Sequence, residues 1–216
     1  GYNAFEHCSS LKDINIPNSV TSIGNSAFYY CTSLENIVIP VGTKSIGSNA
    51  FYGCLNLSSV TIPNTVTSIN EAVFGNCTKL KSIVIPESIN AINPFAFSGC
   101  TSLKTIIIPK IVNFLGHNCI GDYYDEDSHD YLKIENFKIY GYKNTAAEKY
   151  AQDNGFEFIS LADDIIFSDK STGITVSGVM QNDAVLNVTK LENTFKNSVA
   201  TYDITLQKDG AVIQPD

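Results

Sequence analysis

The stretch Leu34-Glu35-Asn36-Ile37-Val38-Ile39-Pro40 decides the fold, because it recurs along the chain at a fixed interval. Pro17, Pro40, Pro63, Pro86 and Pro109 stand 23 residues apart, and so do Cys8, Cys31, Cys54, Cys77 and Cys100. Three further columns keep the same period: Phe5 to Phe97, Leu11 to Leu103 and Ile16 to Ile108. A repeat of this length with a Leu-x-x-Ile-x-Ile core reads as one coil of a solenoid. Within the coil, Ile37 and Ile39 alternate with Asn36 and Val38, the period of a strand with one face buried and one outward. Pro40 closes the strand, since it has no N–H to offer a neighbouring coil.

A second apolar pair follows at Thr43 and Ile46, matched by Val20 and Ile23, Val66 and Ile69, and Ile89 and Ile92, and predicts a short second strand or an extended turn. Gly24, Gly47, Asn70 and Asn93 then share one position, suited to a helix N-cap or a left-handed backbone. The segment after it, Asn25 to Cys31, is expected to form one turn of 3₁₀ or α-helix that drops Ala27, Phe28 and Cys31 inward.

The run Ile16-Pro17-Asn18-Ser19-Val20-Thr21-Ser22-Ile23-Gly24, continued by Ala27-Phe28, Cys31 and Leu34, resembles the BspA-like leucine-rich repeats of bacterial surface proteins. The resemblance covers residues 1–116. Val73 in place of the Ala before Phe74, and Gly42-Thr43 in place of Ser-Val, depart from it. It implies a leucine-rich-repeat solenoid with its parallel β ladder on the concave side and a role in adhesion or protein binding at the cell surface.

After Pro109 the period fails: Ile120 and Tyr123 stand where Phe and Cys are due. Residues 117–162 read as a degenerate coil, an acidic insertion from Asp122 to Asp130 expected as a solvated loop, and a sixth rung at Phe137 to Gly141. A capping helix then starts near Asn144, turns Ala147, Tyr150 and Ala151 to one face and stops at Gly155. Residues 163–216 alternate as strands at Ile174–Ser177, Ala184–Val188 and Tyr202–Leu206, a β-rich region expected as a partial immunoglobulin-like domain.

Composition bounds the function. The 216 residues are 44% hydrophobic, enough for a core, and carry a net charge of −8 with no Arg. Nucleic acid is therefore not an expected partner, and no apolar run approaches the roughly 20 residues of a membrane helix. The chain has no initiator Met and no secretion segment, and is expected to be a piece of something longer, monomeric, and placed at a bacterial surface or secreted. Residues 1–116 hold six Lys and five acids, so charge collects in the tail.

Candidate chemistry is sparse. Five stacked cysteines read as buried free thiols, because parallel Cβ vectors disfavour a disulfide and a linear stack cannot form a zinc tetrahedron. His7, His117 and His129 lie on unrelated segments with no paired nucleophile, so no enzyme and no cofactor is expected. Asp122, Asp125, Asp127 and Asp130 lack the Gly and terminal Glu of a Ca²⁺ loop, so no metal site is assigned. What remains are the outward strand positions, Asn15, Val38, Thr61, Val84 and Ile107 in one column and Asp13, Asn36, Ser59, Ser82 and Thr105 in the other. These are the expected protein-binding residues, with weak salt dependence because the repeats are near neutral. Tyr29, Tyr30, Tyr52 and Phe95, expected exposed on the opposite side, form a weaker candidate. The alternative function is a spacer that displays another domain from the cell envelope. Carbohydrate binding would ordinarily bring Trp, which the chain lacks.

Overall fold

The computed structural model describes residues 1–161 and, beyond them, the backbone of five strands between Ile165 and Ile213. The chain forms two compact units, Gly1–Ile159 and Ser160–Asp216. The first is a β-solenoid. Its strands are β1 (Ser22–Ile23), β2 (Asn36–Val38), β3 (Ser45–Ile46), β4 (Ser59–Thr61), β5 (Ser68–Ile69), β6 (Ala91–Ile92), β7 (Thr105–Ile107), β8 (Phe114–Leu115), β9 (Asp122–Asp125), β10 (Asp130–Lys133), β11 (Lys138–Gly141) and β12 (Glu157–Ser160).

The coils build two ladders. On the ladder face the three-residue β2 and β4 pair in parallel, and the three-residue β7 pairs in parallel with the four-residue β11, which β12 flanks. The two-residue strands pair β1 with β3, and β5 with β6 and then β8, at the expected Ile23, Ile46, Ile69 and Ile92. Pro17 and its equivalents sit between the two, where the missing N–H is not needed. Asp13–Ile16 and Ser82–Val84, expected as rungs, carry no strand assignment, although Ile83 stays buried between exposed Ser82 and Val84. Nothing in Ser82-Ile83-Val84 distinguishes it from Ser59-Val60-Thr61 in β4.

The segment from Asn25 to Cys31 is not helical. Ser26, Phe28 and Tyr30 donate their backbone N–H to Ser48, Ala50 and Tyr52 of the next coil, at 3.0, 2.8 and 2.8 Å. The alternating residues Ala27, Tyr29 and Cys31 donate within their own coil, to Gly24, Ser26 and Phe28. A 3₁₀ turn would spend every donor inside the coil and leave the edge of the stack unsatisfied. The backbone turns left-handed every fourth residue to do this, at Ser26 and Tyr30, Asn49 and Gly53, Ala72 and Asn76, and Phe95 and Gly99. Each non-glycine residue so held costs roughly 1–2 kcal/mol, offset by the inter-coil bonds it permits.

The left-handed residues therefore stand two places after Gly24 and Gly47, not at them. Gly47 is required for space instead, because a Cβ there would collide with Asn25. Where the coil carries Asn70 or Asn93, the side-chain amide donates to the Ile46 or Ile69 carbonyl of the preceding coil, at 2.7 and 3.1 Å.

The interior is a set of columns. Phe5, Phe28, Phe51, Phe74 and Phe97 stack ring on ring at 5.2, 5.2, 5.5 and 5.5 Å. Cys31, Cys54, Cys77 and Cys100 are free and buried, but they are not merely apolar filler. Each thiol donates to the carbonyl of the Phe in the preceding coil, Phe5, Phe28, Phe51 and Phe74, at 3.0 to 3.3 Å. Cys8, expected buried with them, is exposed and stands outside the thiol–carbonyl series that starts at Cys31. Cys119, whose state the sequence leaves open, is a buried free thiol.

The solenoid closes with α1 (Ala146–Asn154), which turns Ala147, Tyr150 and Ala151 inward and ends at Gly155 in the left-handed conformation, φ 64°. The Tyr150 hydroxyl donates to the Ile120 carbonyl at 3.1 Å, fastening the helix to the degenerate coil. The acidic insertion is an antiparallel hairpin rather than a loop, with β9 and β10 in register from Asp122↔Lys133 to Asp125↔Asp130. At its tip Asp125 accepts from the backbone N–H and hydroxyl of Ser128, three residues on, at 2.9 and 2.6 Å.

In the second unit β13 (Ile165–Asp169) pairs antiparallel with β14 (Ile174–Gly178), and β16 (Asp203–Lys208) lies between β15 (Ala184–Thr189) and β17 (Ala211–Ile213). The connections on which an immunoglobulin-like reading of residues 163–216 would rest lie outside the described residues.

Candidate functional site

Alternation and register together build the ladder face. In β2 and β4, Asn36 lies beside Ser59 and Val38 beside Thr61, with Ile37 and Val60 buried between the outward columns. In β7 and β11, Thr105 lies beside Lys138 and Ile107 beside Tyr140, across the buried pair Ile106 and Ile139. Val38 is 76% exposed, Val84 80% and Ile107 50%, the reverse of what a core residue of this type would show. Asn36, Ser59, Thr61, Ser82 and Thr105 are exposed beside them, and Ser59 donates to the Asn36 side chain at 3.2 Å. Asp13 and Asn15 are also exposed, outside any strand.

Two residues of this face escape a reading confined to the 23-residue period. Tyr140 and Lys138 continue the two outward columns onto the sixth rung, but the hairpin insertion displaces them by ten residues. Their signal was the alternation Phe137-x-Ile139-x-Gly141, which identifies the rung without fixing which residue faces Ile107. The column is polar or mixed at Asn15, Val38 and Thr61 and becomes apolar and aromatic through Val84, Ile107 and Tyr140.

The opposite, turn side is less open than expected. Tyr29, Tyr30, Tyr52 and Phe95 are half-buried, the three tyrosines because their rings cover one another. Tyr30 stacks on His7 at 5.5 Å and Tyr52 on Tyr29 at 5.4 Å, while the Asn76 amide donates to the Tyr52 hydroxyl at 2.9 Å. Burial, then the neighbouring phenols, push the Tyr52 hydroxyl above its ordinary pKa. Phe95 meets His117 at 4.7 Å and Tyr131 of the hairpin at 5.6 Å, so the hairpin lies over this side.

Asp122, at the base of that hairpin, is 6% exposed and its Oδ1 has no hydrogen-bond partner. Burial raises its pKa to about 6, against the lowering effect of a hydrogen bond with Ser98. Of the four aspartates weighed as Ca²⁺ ligands, Asp122 and Asp125 lie at the two ends of β9, Asp127 at the hairpin tip and Asp130 at the start of β10. Among the described residues no three His, Cys, Asp or Glu side chains converge as a metal site. Also among the described residues, no helix is long and apolar enough to cross a membrane.

Stacked coils with a parallel strand ladder, inward Leu, Ile, Phe and Cys columns and an open outward face define a leucine-rich-repeat protein. The description BspA type leucine rich repeat region matches residues 1–124 in six copies, and the chain belongs to that family. No curated protein matches it. Three solved structures are similar in part. A leucine rich cell surface protein from Faecalibacterium prausnitzii is 40% identical over 46% of this chain and 26% of its own, with a TM-score of 0.45. The leucine rich repeat protein of T. pallidum is 27% identical over 60% of this chain and 55% of its own, at 0.48. A leucine-rich repeat protein from Bacteroides ovatus is 27% identical over 73% of this chain and 48% of its own, at 0.45. The chain spans about a quarter to a half of the length of these proteins.

Proposed function

We propose that this chain is a non-catalytic module of a bacterial cell-surface protein that binds another protein through the ladder face. The observation that carries the reading is the exposure of Val38, Val84 and Ile107 in one outward column. Leaving such side chains in water forgoes about 1.5–3 kcal/mol each, which a partner covering them recovers. Asp13, Asn15, Asn36, Ser59, Thr61, Ser82 and Thr105 supply the polar half of the same surface, and Tyr140 extends it. Membership of the BspA-type family supports the surface location and the protein partner. Residues 1–116 serve as the binding array, 117–162 as its cap and 163–216 as a separate β-rich domain.

The test is capture of surface-extract proteins by the wild type and by Val84→Asp with Ile107→Asp. Both positions are outward, so thermal unfolding should leave the variant folded, and capture should be lost. Capture unchanged by the substitutions removes the ladder face from the account. No specific capture by either favours the spacer.

A further inference from the structure

The near-neutral total of the repeats conceals a separation of charge along the solenoid. Residues 1–76 carry Lys12 and Lys44 against Glu6, Asp13, Glu35 and Glu71, whereas residues 77–121 carry Lys79, Lys81, Lys104 and Lys110 against Glu87 alone. The cap that follows is acidic again. The cationic band therefore falls on the coils where the outward column turns apolar, at Val84 and Ile107.

Its position within the coil is equally specific. Lys81 and Lys104 are equivalent residues one coil apart, each immediately before the rung that carries Ser82 and Val84 or Thr105 and Ile107. The Lys104 carbonyl accepts from the Lys138 backbone N–H at 3.0 Å, which carries this edge onto the sixth rung. Lys138 is already paired with Glu157 at 3.1 Å, and Lys79 donates to the Asn56 side chain. Lys81 and Lys104 are exposed, and among the described residues neither has an ion pair or a side-chain hydrogen bond. Two like charges about one rung spacing apart, roughly 4.8 Å between backbones, repel each other, and no described residue pairs with either.

We propose that the partner of the ladder face is an acidic polypeptide segment in extended conformation, whose apolar side chains cover Val84, Ile107 and Tyr140 while its carboxylates lie against Lys81 and Lys104. This rests on the ladder face being the binding surface. The rungs β7 and β11 spend their backbone groups on each other, so the segment is held by side chains rather than added as a strand. Ser82 and Thr105 lie between the lysine edge and the apolar column, where their hydroxyls can meet the segment's backbone. A nucleic acid would satisfy the lysines but would leave the apolar column unused and meet the acidic cap. Because Lys81 and Lys104 are exposed and so open to screening, binding should depend on salt, contrary to what the total charge of the repeats predicts.

The test is fluorescence anisotropy of the full chain with three labelled decapeptides in which Val alternates with Glu, Gln or Lys. The Glu peptide should bind roughly tenfold more tightly than the Gln peptide and weaken roughly tenfold between about 50 and about 500 mM NaCl, and the Lys peptide should not bind. Lys81→Glu with Lys104→Glu should erase the preference for Glu over Gln. Val84→Ser with Ile107→Ser should weaken both peptides alike. Equal binding of the Glu and Gln peptides, lost in the Val84 and Ile107 variant, would overturn the acidic partner and leave the ladder face standing. Binding of the Glu peptide that ignores Val84→Ser with Ile107→Ser would overturn the ladder face itself. Failure of all three peptides to bind would overturn the proposal, with the ladder face then judged by the capture experiment.

Discussion

The first and third coils carry the same inward residues and bury them differently. Phe51 is enclosed between Phe28 and Phe74, and Cys54 is buried with its thiol on the Phe28 carbonyl. Their counterparts Phe5 and Cys8 are exposed, and Leu11, Ile14 and Ile16 are only half-buried. The period fixes the direction in which a side chain points. Burial requires a coil on each side, because in a stack of this kind each repeat supplies half of its neighbour's core.

Truncating the Phe column should show the contrast most strongly. Phe51→Ala is expected to cost about 3–5 kcal/mol, since it opens a cavity shared by three coils, whereas Phe5→Ala should cost roughly 1 kcal/mol. Urea unfolding measures both. Equal losses at the two sites would mean that the coils do not support one another as the stacking indicates.

The cysteines sharpen the same comparison. Burial pushes the Cys31 thiol up to about 11 and Cys54, Cys100 and Cys119 to about 12, and raises Cys77 as well. In the folded 216-residue chain Cys8 should react with a maleimide, and the other five thiols should react on the order of a hundredfold more slowly until denaturant is added. Peptide mass spectrometry after a brief pulse identifies the labelled residue, and label at Cys54 or Cys77 would break the column.

The smallest expected effect lies in the cap. The Asp122 carboxyl has its pKa raised to about 6 in the folded chain, so its neutral form is favoured there over the ionised one. Its stabilising contribution is complete below about pH 4 and is lost as pH rises through about 6, on the order of 2 kcal/mol. Asp122→Asn should flatten stability between pH 4 and pH 7 relative to the wild type. An unchanged slope in urea unfolding would show that the hairpin base is hydrated rather than dry.

The inward columns were legible because a period of 23 places Phe28, Cys31, Leu34 and Ile37 at the same points of every coil. Thr43, the one break in the Val and Ile column, is buried and bonded to the Val20 carbonyl at 3.3 Å, so the departure is accommodated without disturbing the stack. The cap helix was legible from Ala147, Tyr150, Ala151 and the stop at Gly155. The outward columns were legible as far as Ile107. Beyond it the hairpin breaks the count, and only strand pairing shows that Tyr140 is the next residue of the column.

Periodicity alone was enough to tell which side chains point inward, and the loss of the period after Pro109 was enough to tell where the array gives way to a cap. Tertiary structure decided what lies between coils. It set the alternating donors of the turn segment, the thiol bonds to the Phe carbonyls, the mutual cover of the tyrosines and the folding of the acidic insertion onto Phe95. Each of these joins residues of different coils or of the insertion, and their geometry exists only once the chain has stacked on itself. The free lysines beside Val84 and Ile107 belong to both: the sequence supplies their number, and the stacking brings Lys81 and Lys104 to neighbouring positions on one edge.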